Sequence, residues 1–180
     1  SLEELVRDVE RLVKESIEEL ERVVEDVRRL NTELKEKLER VAREIKKRND
    51  DLVRELRTAG TEDRLIKESR ELVRRSEDTV RRLIERSEEI ARRTEKNVKR
   101  HVKENKDVVE KIREVVTKNS SEEVIDRLRK ELEDIIRESR KNLEDLLREN
   151  KRLVEEVERT LRELLRTNKE LLERIREEVR

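Results

Sequence analysis

His101 is the only histidine of the 180-residue chain and the first candidate for acid–base or metal chemistry. A zinc site would need further His or Cys ligands, but the chain has no other histidine and no cysteine. The Glu-x-x-His spacing of di-iron bundles fails because Val98 occupies the Glu position. Ser16 or Ser139 could pair with His101, but no acidic residue occupies the apolar stripe and no glycine-rich turn supplies an oxyanion hole. We therefore expect a structural histidine, with no metal, no cofactor and no enzymatic activity.

Charged residues make up 54% of the chain, and 49 basic residues balance 49 acidic ones. Glu and Arg recur three and four residues apart, as in Glu18 and Arg22, which is typical of a solvated helix face. With no basic excess and no aromatic residue, we expect no nucleic-acid partner. The interleaved signs and the lack of an apolar run of about 20 residues predict no membrane partner.

Only two short stretches interrupt the helical spacing of the apolar residues. The first contains Gly60, the sole glycine, which favours a left-handed helix stop, and Thr61, a candidate cap for the next helix. The second contains Asn119 as a stop, followed by a capping box of Ser120 and Glu123. The sequence thus predicts an all-α, up-down-up antiparallel three-helix bundle with helices of approximately 2–58, 62–118 and 121–180.

The apolar residues repeat every 18 positions, for example at Leu2, Leu20, Leu38 and Leu56. Eighteen residues are five turns of a helix with 3.6 residues per turn, so the apolar stripe does not drift, and we expect long, nearly straight helices. The stripes fill arcs of roughly 140° at about 100° per residue. Arcs of this width suit one core shared by three helices, so we predict a single domain over residues 1–180.

Several polar residues lie inside these apolar stripes. Two residues on neighbouring helices lie at the same height along the bundle axis when their numbers obey a simple rule. In an antiparallel pair the sum of the two residue numbers is constant, and in a parallel pair the difference is constant. Two sets satisfy both conditions, and they predict two matched polar layers: Asn31, Ser87 and Asn150, and Asn49, Ser69 and Asn168. Grouping amides and hydroxyls at one height avoids unpaired buried polar groups and penalises wrong helix registers.

The third repeat closes less well, because Asn105 falls level with Val13 and Leu132. Ser16, His101 and Ser139 lie near the same height, so with Asn105 they are candidates for a third polar cluster. If His101 is buried and neutral there, its protonation at acid pH would weaken the core. The alternative for every polar residue is an isolated side chain that bonds to water or to its own helix.

The 18-residue repeat, the interior Asn and Ser residues, the minimal loop Thr58–Asp63 and the Glu/Lys/Arg surface without aromatics resemble de novo designed, parametrically generated straight bundles. That resemblance implies a very stable scaffold with no natural substrate or location, soluble on recombinant cytoplasmic expression. It requires no partner and leaves self-association open. An interaction module is the alternative, with an apolar surface extended by residues at the stripe edges: Leu12, Leu30, Val53, Leu147 and Leu165. A natural spectrin-like spacer is a third hypothesis, which would normally contain aromatics and Met.

Overall fold

The computed structural model describes residues 2–60, 63–118 and 121–180, and these form three helices. They are α1 (Leu2–Thr58), α2 (Asp63–Thr117) and α3 (Glu122–Val179). The predicted all-α three-helix bundle is confirmed, and the predicted helix ends agree to within one residue. The proposed caps at Thr61 and Ser120 and the stop at Asn119 lie outside the described residues.

Gly60 ends α1 with a left-handed φ of 69°. Its N–H donates to the carbonyl of Arg57 at 3.2 Å, and the N–H of Ala59 donates to Glu55 at 3.0 Å. These bonds satisfy carbonyls that a helix C-terminus otherwise leaves free, and glycine adopts this φ without steric cost. The sole glycine therefore stands where the backbone requires one.

The contacts divide the chain into two compact units, and every helix contributes to both. Unit 1 comprises Ser1–Arg29 and Ile90–Glu149, and unit 2 comprises Leu30–Glu89 and Asn150–Arg180. In unit 1, Val9, Ile112 and Leu132 belong to one buried cluster, and Leu20, Val98 and Leu143 form another. In unit 2, a cluster with Leu52, Leu65 and Ile175 joins the three helices. All three helices thus share the core of each unit.

Ion pairs between helices show the chain direction within each unit. In unit 1, Arg28 pairs with Glu95 and Glu10 pairs with Arg113. Residue numbers therefore increase along α1 in the direction in which they decrease along α2, so these two helices are antiparallel. In unit 2, Arg86 pairs with Glu156 and Arg174 with Glu68, which makes α2 and α3 antiparallel. Both α1–α2 pairs have one total and both α2–α3 pairs have one total, as the constant-total rule requires.

Candidate functional site: the buried polar residues

The sequence-predicted polar residues all lie in the interior. Each has a relative exposure of at most 7%, and they are Ser16, Asn31, Asn49, Ser69, Ser87, His101, Asn105, Ser139, Asn150 and Asn168. Ser76 and Thr94 are buried with them. Because a buried polar group without a partner destabilises the fold, the hydrogen bonds of these residues decide what each does.

Asn49 is the centre of a closed hydrogen-bond network in unit 2. Its Oδ1 accepts from the hydroxyl of Ser69 at 2.7 Å, and its Nδ2 donates to Oδ1 of Asn168 at 2.5 Å. The same Nδ2 donates to the backbone carbonyl of Ile45 at 2.7 Å. One side chain therefore joins α1, α2 and α3 at a single height.

The second predicted set, Asn31, Ser87 and Asn150, is bonded differently. Nδ2 of Asn31 donates to the backbone carbonyl of Ser87 at 2.9 Å and not to its hydroxyl. Within the described residues, Oδ1 of Asn31, the Ser87 hydroxyl and Oδ1 of Asn150 have no hydrogen-bond partner. The three residues share the interior of unit 2, but the structure shows no closed side-chain network among them.

The polar residues of unit 1 are brought together less completely. Both polar atoms of the Asn105 amide and the hydroxyl of Ser139 are buried without a hydrogen-bond partner among the described residues. Thr94 satisfies its own hydroxyl by donating to the carbonyl of Ile90 at 2.8 Å. The expected cluster of Ser16, His101, Asn105 and Ser139 is therefore an interior group whose hydrogen bonds mostly stay unmade.

His101 contacts two residues that the sequence analysis did not select. Nδ2 of Asn142 lies 3.4 Å from its Nε2, and Oε2 of Glu104 lies 3.5 Å from its Nδ1. Nδ1 forms no hydrogen bond with the carboxylate at this distance and has no hydrogen-bond partner among the described residues. The pairing of His101 with Ser139 is not formed. Asn142, three residues after Ser139 on α3, contacts Nε2 instead.

Glu104 is an acidic neighbour of the imidazole, although it lies at the edge of the apolar stripe and not within it. It is three residues after His101 on α2, and this spacing brings two side chains to the same helix face. Its side chain is 38% exposed, so the carboxylate lies at the edge of the stripe. The i+3 spacing was the available signal, but the high density of Glu at such spacings throughout the chain concealed it. The sensitivity of the core to His101 protonation remains a prediction.

Among residues 2–60, 63–118 and 121–180, no group of three or more His, Asp or Glu residues is placed to hold a metal ion. None of the described helical segments has the length and apolarity that a membrane crossing demands.

The stripe-edge residues differ in exposure. Val53 is buried in the core of unit 2, whereas Leu147 is 41% exposed. Leu12, Leu30 and Leu165 are half-buried. Val53 therefore belongs to the folded core and offers no surface for a partner, because its neighbours on α1, Leu52 and Leu56, are buried in the same cluster.

Taken together, the fold and its interior define a three-helix bundle with buried Asn and Ser residues. Comparison of the chain with known protein families, with curated proteins and with solved structures found no match in any of the three.

An exposed ion pair gives a direct test of the α1–α2 alignment in unit 1. Arg28 donates a hydrogen bond to Glu95, which lowers the pKa of that carboxyl, and the charge of Arg28 acts in the same direction. A folded-state pKa below the unfolded one stabilises the fold above the unfolded pKa. This contribution is lost as the pH falls through the folded pKa. We expect Arg28→Ala to raise the pKa of Glu95 toward its ordinary value, measured by carboxyl NMR titration.

The control is Glu71, whose pKa is lowered by Arg74 on the same helix. Its titration should not change in Arg28→Ala. An unchanged pKa of Glu95 in that variant would show that the two helices are not aligned as described.

Proposed function

We propose that the chain is a de novo designed structural scaffold without a natural biochemical activity, in which buried polar residues specify how the helices align. The observation that carries the proposal is the closed Asn49, Ser69 and Asn168 network, which joins all three helices at one height. A helix displaced by one or two turns would place the Asn49 amide against aliphatic side chains. The cost would be about 1–3 kcal/mol for each polar group left unpaired.

The regularity of the chain supports a designed origin. The positions of salt bridges between helices recur with the 18-residue period of the apolar residues. Arg28–Glu95 and Arg113–Glu10 differ by 18 residues on each helix, as do Arg86–Glu156 and Arg174–Glu68, with the acidic and basic partners exchanged in each case. The three comparisons, which found no relative, agree with such an origin. The proposal also implies that the protein is hyperstable, that it has no enzymatic role, and that it requires no cofactor and no partner.

The register role is testable by removing the network while keeping the apolar volume. In Asn49→Leu/Ser69→Ala/Asn168→Leu, we expect a helical protein that populates more than one alignment of α1 against α3. Nitroxide labels at the exposed positions Lys47 and Arg166 report that alignment by pulsed electron resonance. The unmodified chain should give one narrow distance. The variant should give a broadened distribution or a longer distance. A slip of seven residues at about 1.5 Å each moves one label along the helix axis by roughly 10 Å, and this axial offset combines with the lateral separation of the labels as the two sides of a right triangle.

The matched control is Ser76→Ala, which removes a buried hydroxyl that has no hydrogen-bond partner in the described structure. It should keep the single narrow distance. If the triple variant also keeps it, the loops and apolar packing alone fix the register, and the proposed role of the polar network is wrong.

A further inference from the structure

An open groove runs between α1 and α2 of unit 1. The part of the groove next to Arg28 and Glu95 has a volume of about 610 Å³, with Val24, Val98 and Val102 at its floor. A second part of about 540 Å³, floored by Val13, Ile17 and Val109, shares Lys106 and Glu110 with the first. The two parts therefore form one continuous apolar depression, which we call the valine groove.

The valine groove exists because its walls are built from short β-branched side chains. Val24 and Val102 remain only half-buried, although both pack against the buried cluster of Leu20, Val98 and Leu143. Valine is one methylene shorter than leucine and does not reach across the space between the helices. The groove thus leaves apolar surface in contact with solvent, and burial of such surface by another apolar group is favourable by about 25 cal/mol per Å².

The two rims of the groove differ in net charge. Apart from the end pairs, the α1 rim presents Glu18, Glu21 and Glu25 with one basic residue, Lys14, and the α2 rim presents Lys99, Lys103 and Lys106 with two acidic residues, Asp107 and Glu110. All nine are exposed, and no salt bridge between any of them and another residue is seen in the part of the chain that the structure describes. The ion pairs Arg28–Glu95 and Arg113–Glu10 cross the groove at its two ends.

On the opposite side of α1 and α2, where α3 packs, α1 also presents an acidic residue and α2 also presents basic residues, and these are paired with α3. There α3 presents Arg140 to Glu19 of α1. It presents Glu149 to Arg93 and Glu131 to Lys111 of α2. In unit 1, α3 therefore turns basic side chains to α1 and acidic side chains to α2.

We propose that the valine groove binds an amphipathic helix from another chain. The helix has a stripe of aliphatic residues, with Lys or Arg along the flank beside α1 and Asp or Glu along the flank beside α2. The end pairs are separated by 18 residues of α1, from Glu10 to Arg28, so the groove accommodates about 27 Å of helix at ~1.5 Å per residue.

The charges also specify the direction of the bound helix. The valine groove and the α3 site lie on opposite faces of the same helix pair, so the left and right positions of α1 and α2 are exchanged when each face is viewed from outside. A helix with the flank charges of α3 must therefore run opposite to α3 in order to keep its basic flank on α1. It lies parallel to α2.

A synthetic peptide that copies 129–149 of α3, with blocked ends, is the probe. We expect it to bind the full chain in fluorescence anisotropy and to gain helical circular dichroism. In Val24→Asp, which places an unpaired carboxylate on the groove floor, affinity should fall at least tenfold. Val23→Asp is the matched control, because Val23 packs against the same buried cluster but does not line the groove. It should bind as the unmodified chain does.

Rim variants test the charge argument without touching the core. Glu21→Lys/Glu25→Lys should weaken peptide binding at low salt, and the difference should shrink at high salt because exposed charges are screened. A nitroxide at the peptide N-terminus should broaden the methyl signals of Val24 more than those of Val13, as the opposite direction to α3 requires.

Several results would overturn the proposal. One is no binding, and another is equal loss in Val24→Asp and Val23→Asp, which would mean that the peptide exchanges with α3. Stronger broadening at Val13 would contradict the charge-directed orientation. If the unmodified chain sediments as a dimer that Val24→Asp dissociates, a second copy covers the groove, and a separate helix is not its partner.

Discussion

The Asn49→Ala variant is expected to lose about 2–4 kcal/mol of its free energy of unfolding, the largest loss among single changes to the buried polar residues. Removal of this amide leaves the Ser69 hydroxyl without its acceptor and Oδ1 of Asn168 without its donor. Each buried group that loses its partner costs about 1–3 kcal/mol, and a small cavity adds to the loss. Guanidinium unfolding followed by circular dichroism measures the difference.

Asn31→Ala is the matched comparison, because Asn31 is the same residue type on the same helix and is also buried. Its side chain donates only to the backbone carbonyl of Ser87, and its Oδ1 has no partner in the described structure. The loss should therefore be nearer 1 kcal/mol, about the net contribution of one hydrogen bond. Equal losses at the two positions would contradict the difference between a closed network and an isolated bond.

The second large effect has the opposite sign. Asn105 is fully buried in unit 1, and neither its Nδ2 nor its Oδ1 has a hydrogen-bond partner among the described residues. Asn105→Leu removes both unpaired groups and replaces them with two methyl groups on a side chain of the same branching pattern, which adds apolar contact. We therefore expect the free energy of unfolding to rise by about 2–3 kcal/mol, measured by the same denaturant titration.

Asn49→Leu provides the control for this substitution, because the identical change in the closed network should destabilise the protein. A gain at Asn105 with a loss at Asn49 would separate unpaired from paired amides within one molecule. If Asn105→Leu destabilised the protein, the amide of Asn105 would have to be satisfied in the folded state.

The sequence is most informative where independent physical rules agree. The two turn segments and the 18-residue spacing were enough to predict three helices and their antiparallel order, because turn chemistry and apolar periodicity agree along the whole chain. The constant totals also selected Asn49, Ser69 and Asn168, since only residue numbers are needed to find side chains at one height. Helix geometry fixes that height through the rise per residue.

The details of bonding could not be obtained in the same way. Height does not determine the rotamer of Asn31, which reaches a backbone carbonyl instead of the Ser87 hydroxyl. The apolar pattern marks valine and leucine alike as core residues. It therefore did not predict the valine groove, which the shorter side chains at Val24 and Val102 open. Glu104 and Asn142 were missed because both lie at the stripe edge, where a polar residue is expected in any case.

The recurrence of the interhelical ion pairs has a consequence for how the chain could be resized. Arg28–Glu95 and Arg113–Glu10 occupy positions one period apart, but the basic partner is on α1 in the first pair and on α2 in the second. Arg86–Glu156 and Arg174–Glu68 are reversed in the same way between α2 and α3. Adding one period to each helix extends it by five whole turns, about 27 Å, and returns every following side chain to its original face. The length of the helices can therefore be varied in steps of one period, whereas the order of charges along each helix decides which segments of neighbouring helices pair.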